Sequence, residues 1–331
     1  MKFIIIDDKH ELYKSMYADI LQSQSDDIIE VSNFQKLSKI LKILEKVLYN
    51  RRLNRHIKVP FKKLYNRYYT LSSYNFDPKE KYWIIILNGT LCSYYSEEYL
   101  LNLKRCNSNI KLAMVLYDSF SNRSAKRAIS LIPAFDVVFS FDERNAHEYG
   151  LKYIYSTFST PDYLKANENY KSSAFFIGNG ADREQELNEN LSYIARNVKD
   201  SKFGIVGVKQ EKYKDFIDYN EPISYREELM YAYNTNCIVE IVKQGQSGIT
   251  LRTCEAIAFN KKLLTNNANI KNQPFYNSKY MSVFENIEDI DIDFIKEDII
   301  VDYQYDGCFS PMRIIDSLKE ERWEDNGFSN T

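Results

Sequence analysis

Short apolar runs alternate with segments of helical periodicity along almost the whole chain, and this alternation limits the fold more than any other feature. Lys2–Asp7, Tyr82–Leu87, Ile110–Tyr117, Asp136–Phe141 and Lys152–Tyr155 read as strands. Between them, Glu11–Gln22, Phe34–Tyr49, Ser96–Arg105 and Ser124–Leu131 read as helices. Phe34, Leu37, Ile40, Leu41, Leu44 and Leu48 recur at helical spacing, Ser96 is placed to act as an N-cap, and Pro133 stops the last helix. The run Tyr82–Leu87 (YWIIIL) has no polar side, so both of its faces must be covered. A parallel sheet with helices on both faces covers them.

The rhythm restarts after a polar connector, Ser156–Ser173, which contains Pro161. Ala174–Ile177, Phe203–Val208, Cys237–Val242 and Lys262–Thr265 read as strands. Asp182–Asn197, Ser224–Tyr233, Thr250–Phe259 and Pro311–Trp323 read as helices, with Ser224 and Glu227 in capping-box spacing. The 331 residues suffice for two cores. The expected fold class is α/β, with two doubly wound Rossmann-like domains facing each other across a cleft. Residues 1–160 would form the first domain and 161–310 the second, with a helix in 311–331 packing back on the first. Open parallel sheets bind ligands beyond the carboxyl ends of their strands. The candidate positions are therefore Asp7–His10, Asn88–Thr90, Tyr117–Ser119, Ser140–Asp142, Gly178–Arg183, Lys209 and Lys243–Thr250.

Several classes are excluded by composition. No apolar run approaches the ~18–20 residues of a membrane span. The N-terminus becomes acidic at Asp7-Asp8, too soon for a secretory leader. The five cysteines form no CxxC pair, and His10, His56 and His147 lie far apart, so neither a zinc ribbon nor an HExxH site is expected. A reducing cytoplasm and no metal are the expectation. The net charge of -2 gives no global reason to expect nucleic acid. Locally the balance shifts: Lys36–Tyr69 holds eleven basic residues and one acid, Glu45. Its densest part is Arg51, Arg52, Arg55, Lys58, Lys62, Lys63 and Arg67, interleaved with apolar and aromatic residues. That pattern fits an anionic membrane surface, and equally a solvated helix face.

The stretch richest in chemistry is Glu240–Asn267, EIVKQGQSGITLRTCEAIAFNKKLLTNN. A strand ends, a loop containing Gly245 and Gly248 follows, and a helix opens near Thr250. Loop N–H groups and a helix N-terminus together suit a diphosphate. Arg252 and Glu255 share a helix face, the first placed for phosphate and the second for ribose hydroxyls. A surface ion pair would use the same spacing.

This stretch resembles the donor-binding segment of GT-B glycosyltransferases, in particular bacterial enzymes of lipopolysaccharide and capsular polysaccharide biosynthesis. The matching residues are Gly245, Gln246, Ser247, Gly248, Thr250, Arg252, Glu255, Ala256, Lys261, Lys262, Leu263, Thr265, Asn266 and Asn267. Phe176-Ile177-Gly178 with Arg183 resembles the family's glycine loop, and Tyr117-Asp118-Ser119 its N-terminal half. The resemblance spans most of residues 110–270 and implies a nucleotide sugar as substrate, with no cofactor. Gly178, Arg183, Lys209, Ser247, Gly248, Thr250, Arg252 and Glu255 would hold it. Asp118 would be the general base toward a glycan or lipid-linked glycan, with His10 also facing the acceptor. The enzyme would sit in the cytoplasm, held to the inner membrane face by the basic patch.

The match has gaps. Many retaining GT-B enzymes carry two glutamates eight positions apart, and the residue eight before Glu255 is Ser247. The stereochemical course therefore stays open. Arg183 stands where a dinucleotide fingerprint needs its third glycine, which argues against a nicotinamide site. A receiver domain needs an aspartate at the end of its third strand, and none occurs between Asp27 and Asp77. Asp142 is placed to cap a helix. Asp291-Ile292-Asp293 imitates a metal-binding DxD but lacks the strand context. An inactive homologue acting as a binding partner, and a polyol-phosphate transferase, remain alternatives.

Overall fold

The computed structural model describes residues 1–6, 11–50, 62–87, 94–120, 125–180, 183–243 and 248–323. They build two six-stranded sheets. The first contains β1 (Lys2–Ile6), β2 (Ile28–Val31), β3 (Tyr82–Leu87), β4 (Ile110–Val115), β5 (Val137–Ser140) and β6 (Lys152–Tyr153). Its order is β2-β1-β3-β4-β5-β6. The second contains β7 (Ser172–Asn179), β8 (Lys202–Val206), β9 (Asp218–Tyr219), β10 (Thr235–Glu240), β11 (Lys262–Thr265) and β12 (Met281–Val283), in the order β12-β11-β10-β7-β8-β9. Every strand pair is parallel. The expected fold class, two Rossmann-like α/β units, is the observed one.

Each sheet is sandwiched because its central strands are apolar on both sides. In the first sheet Ile4, Ile6, Ile84, Ile86, Leu112 and Met114 enter one core, while Phe3, Ile5, Trp83, Ile85, Ala113 and Val115 enter the other. This is the two-residue alternation of a strand, read on both faces. In the second sheet Phe176, Ile205, Val239 and Leu264 pack one way, and Phe175, Ile177, Ile238 and Leu263 the other.

The last helix, Met312–Lys319, does not stay with the second sheet. Ile314, Ile315 and Leu318 are buried with Phe3, Ile5 and Trp83 on a face of the first. Trp323 meets Trp83 edge-on at 5.8 Å, and the Lys111 ammonium donates to the Arg322 carbonyl. Two stretches of chain therefore link the sheets, and the Phe158 N–H donates to the Phe309 carbonyl between them at 2.8 Å. Ser159 and Ser310 both reach the N-terminal helices: the Asp19 N–H donates to Ser159 Oγ, and Ser310 Oγ donates to the Asp19 carboxylate.

Helix starts follow the capping residues. The side chains of Ser96, Asp142, Ser224 and Thr250 accept from Tyr99, Asn145, Glu227 and Arg252 N–H groups. Three expected helices differ in the structure. Glu11–Gln22 is two pieces, Glu11–Met16 and Ala18–Leu21, around Tyr17. The helix expected over Phe34–Tyr49 begins only at Lys39, capped by Ser38, because Phe34 and Leu37 enter the core from irregular chain. The segment after residue 124 forms 3₁₀ turns over Ala125–Ala134 that include Pro133. Asp291 caps the helix Ile292–Lys296 by accepting from the Phe294 N–H at 2.8 Å. Among the described residues no helix is long and apolar enough to cross a membrane, and no cluster of metal-ligating side chains occurs.

Candidate active site

A cavity of about 1190 Å³ opens between the carboxyl edges of the two sheets. The first sheet contributes Leu116–Ser119 beyond β4 and Phe141 beyond β5, and Leu12, Tyr13 and Met16 complete that wall. Tyr13 and Tyr117 stack there at 4.2 Å. The second sheet contributes Lys243, Thr250 and Leu251 beyond β10, Glu285–Glu288 beyond β12, and Arg183 with the first turns of the helix Glu184–Asn197. The linker residues Tyr155–Thr157 form the floor between them.

The cavity carries an uneven charge. Its described lining holds Arg183 and Lys243 against Asp118, Glu184, Glu186, Glu189, Glu285 and Glu288. The acids of the helix Glu184–Asn197 are held by local bonds. Glu184 accepts from the Lys209 and Gln210 N–H groups, Glu186 from Asn266 Nδ2 at 3.0 Å, and Glu189 from Gln185 Nε2 at 2.9 Å. Acids in the first turn also complement the helix dipole. An anion would therefore meet its partners at Arg183, Lys243 and the N-terminus of the helix Leu251–Ala258. Arg183 is held by its guanidinium donating to the Ile241 and Asn179 carbonyls.

The Glu240–Asn267 stretch builds this corner with internal bonds. Glu240, at the end of β10, is buried and accepts from three hydroxyls: Thr250, Thr253 (at 2.8 Å) and Thr265. One carboxylate thus joins the end of β10, the cap and first turn of the following helix, and the end of β11. Three donors offset much of the desolvation that burial imposes on it. Asn266 clamps the chain beyond β10, accepting from the Val242 N–H at 2.6 Å and donating back to its carbonyl. Asn267 Nδ2 donates to the Gly248 carbonyl at 3.3 Å. Lys262 is buried, and its ammonium donates to the Phe294, Ile295 and Glu297 carbonyls at the end of the helix Ile292–Lys296.

Arg252 and Glu255 sit behind the cavity and are absent from its lining. The Arg252 guanidinium donates to the Ile177 carbonyl, pairs with Glu228 at 3.2 Å and lies over the Phe176 ring. Its Nε is buried without a partner. Glu255 is buried, accepts from Tyr225 Oη at 3.3 Å, and has its second oxygen unpartnered. Burial first, and the neighbouring Glu228 carboxylate second, push the Glu255 carboxyl up to about 8. Both effects favour the protonated form of Glu255, and the Arg252 guanidinium pairs with Glu228 instead.

Of the residues expected at the site, the structure brings Asp118, Arg183 and Thr250 into the cavity. Gly178 lies on β7, where a β-carbon would come 2.9 Å from the Phe176 ring. Gly248 packs against Phe141. Lys209 is exposed outside the cavity. His10 and Ser247 lie outside the described residues, as do Arg51, Arg52, Arg55 and Lys58 of the basic patch. Lys62 stands over the Tyr49 ring, Lys63 pairs with Glu98, and Arg67 lies over Tyr68. Lys243 lies in the strand-end loop Lys243–Thr250 that the sequence marks as a candidate position. Neither Glu240 nor the acids at 285–288 are marked there as site residues. Glu285 and Glu288 follow β12, whose three residues, Met281–Val283, are too few to register as a strand in the sequence. Glu240 opens the motif, and the three threonines that follow it were the available signal.

No family model and no curated protein sequence matches the chain. Among solved structures, an S. aureus MnaA–UDP co-structure is similar at 12% identity, covering 97% of this chain and 88% of that one, with a TM-score of 0.46. An alpha-glucosyltransferase in complex with UDP-glucose and DNA containing an abasic site gives 13%, 96%, 91% and 0.48. A putative UDP-N-acetylglucosamine 2-epimerase from Listeria monocytogenes gives 11%, 97%, 89% and 0.45.

Proposed function

We propose that the chain is a GT-B-like glycosyltransferase that moves a hexosyl group from a nucleoside-diphosphate sugar to a glycan or lipid-linked glycan. The setting would be bacterial lipopolysaccharide or capsular polysaccharide biosynthesis, at the cytoplasmic face of the membrane. One observation carries the reading: a single cavity has a carboxylate, Asp118, on one wall and an anion-accepting corner of Arg183, Lys243 and a helix N-terminus on the other.

In this reading the diphosphate lies at the Thr250 corner and the acceptor against Tyr13 and Tyr117, whose stacked rings suit the apolar face of a sugar. The bond between the anomeric carbon and the diphosphate oxygen breaks as the acceptor oxygen approaches. Asp118 takes the hydroxyl proton. Negative charge builds on the departing nucleoside diphosphate, where fixed positive groups stabilise it, and the step calls on no metal or cofactor. Opening of the Arg252–Glu228 ion pair would turn the guanidinium toward the phosphates and free the Glu255 carboxyl for the ribose. Gly178, Ser247, Gly248 and Lys209 complete the proposed donor side, and His10 the acceptor side. The stereochemical course is not part of the proposal.

Calorimetry with UDP, GDP, dTDP, CDP and CMP tests it. One nucleoside diphosphate should bind the parent and bind Glu255→Ala more weakly. Asp118→Asn should keep that affinity and lose turnover. If no nucleotide binds at millimolar concentration, the transferase reading falls and that of an inactive binding partner replaces it.

A further inference from the structure

We propose that the helix Lys39–Leu48 lies in the headgroup layer of an anionic lipid surface and inserts its apolar stripe into it. This rests on the membrane-facing part of the reading above and adds the element that charge alone does not supply. Ile40, Ile43, Leu44 and Val47 repeat at i, i+3, i+4 and i+7, the spacing of a buried stripe. They face solvent instead, exposed by 72%, 63%, 45% and 50%. Leu64, 67% exposed, stands on the neighbouring turn, which is tied to the helix by Tyr65 Oη donating to the Leu41 carbonyl. The core is met by the flank of the helix away from the lysines, through Leu41 and Leu48.

The rim chooses the occupant. At roughly 100° per residue, Lys39, Lys42 and Lys46 run together along one flank of the stripe. All three are exposed. The only carboxylate of the helix, Glu45, is half-buried. An apolar stripe bordered by lysines matches acyl chains beneath anionic headgroups. A second copy of the chain would bring only the half-buried Glu45 from this helix to meet three lysines. The segment also leaves β2 at its carboxyl end, the edge of the first sheet on which the cavity opens.

The test is flotation of the full chain with phosphatidylethanolamine–phosphatidylglycerol vesicles, using phosphatidylcholine vesicles as the neutral control, at low and high salt. The parent should bind the anionic vesicles and keep a salt-resistant fraction, because screening weakens charge and not apolar insertion. Ile43→Ser with Val47→Ser should lower partitioning by on the order of tenfold or more and remove the salt-resistant fraction. Lys39→Gln with Lys42→Gln and Lys46→Gln should lower binding at low salt. Melting temperature checks that these exposed substitutions leave the fold intact. Equal binding by parent and serine variant overturns the proposal. So does a dimer seen by sedimentation velocity that the serine variant dissolves while no vesicle is bound. Nucleotide calorimetry on the serine variant separates the two readings: unchanged affinity with lost flotation concerns the helix alone, and lost affinity in the parent concerns the transferase.

Discussion

Gly248 and Phe141 meet where the two sheets approach: a β-carbon at position 248 would stand 3.0 Å from two carbons of the Phe141 ring and 3.2 Å from its carbonyl oxygen. The ring can give by a few tenths of an ångström, but the carbonyl belongs to the main chain next to β5 and moves less readily. Gly248→Ala should therefore cost about 1–2 kcal/mol by overpacking. It should also weaken nucleotide binding, because Phe141 lines the cavity. Urea unfolding and calorimetry check the two effects; a variant as stable as the parent would mean that the sheets part freely here.

Glu240 ties three threonines, and the two substitutions that test it should differ. Glu240→Ala leaves Thr253 and Thr265 buried without an acceptor and should cost about 2–4 kcal/mol. Glu240→Gln keeps one acceptor oxygen and should cost roughly half as much. Equal losses in chemical unfolding would mean that burial of the side chain, and not its bonds, matters.

Glu255 should make the protein less stable as pH rises. Its carboxyl titrates near 8 in the folded chain against an ordinary value of 4.5. Between those values the unfolded chain has released a proton that the folded chain retains. Stability present at low pH is then lost through that window, at up to about 1.4 kcal/mol per pH unit, and levels off above it. Glu255→Gln should flatten the profile, as measured by unfolding at pH 5, 6, 7 and 8.

The two tryptophans of the chain report on the C-terminal helix. Trp83 is fully buried under it and Trp323 touches its ring. Leu318→Ala should cost about 2–5 kcal/mol. Partial undocking should move the tryptophan emission to longer wavelength before the rest of the chain unfolds. A single cooperative transition at all wavelengths would show that this helix and the first sheet melt as one unit.

Central strands were legible in the sequence, and most edge strands were not. Tyr82–Leu87 and Lys262–Thr265 have the same bounds in the sequence reading and in the structure. Burial on both faces leaves these strands no room for polar residues. The strands missed are β2, β9 and β12, all at sheet edges. They are short, and one face or one side meets solvent, so composition marks them weakly. The same limit hid Glu285 and Glu288. Within the Glu240–Asn267 motif the sequence pointed to the right corner of the molecule. It could not separate residues that face the cavity from those that hold it in shape. Thr250, Lys262, Asn266 and Asn267 spend their side chains on internal bonds, and spacing along a helix does not show which way Arg252 will turn.

The two crossings between the sheets constrain how they can move. One tether would let the second unit swivel in any direction. Here two run side by side, joined by the Phe158–Phe309 hydrogen bond and anchored to the same N-terminal turn through Ser159 and Ser310. Such a paired strap bends easily about one axis and resists twist about the others. For the walls on either side of the cavity, such a strap favours an opening and closing stroke over a twist of one wall against the other.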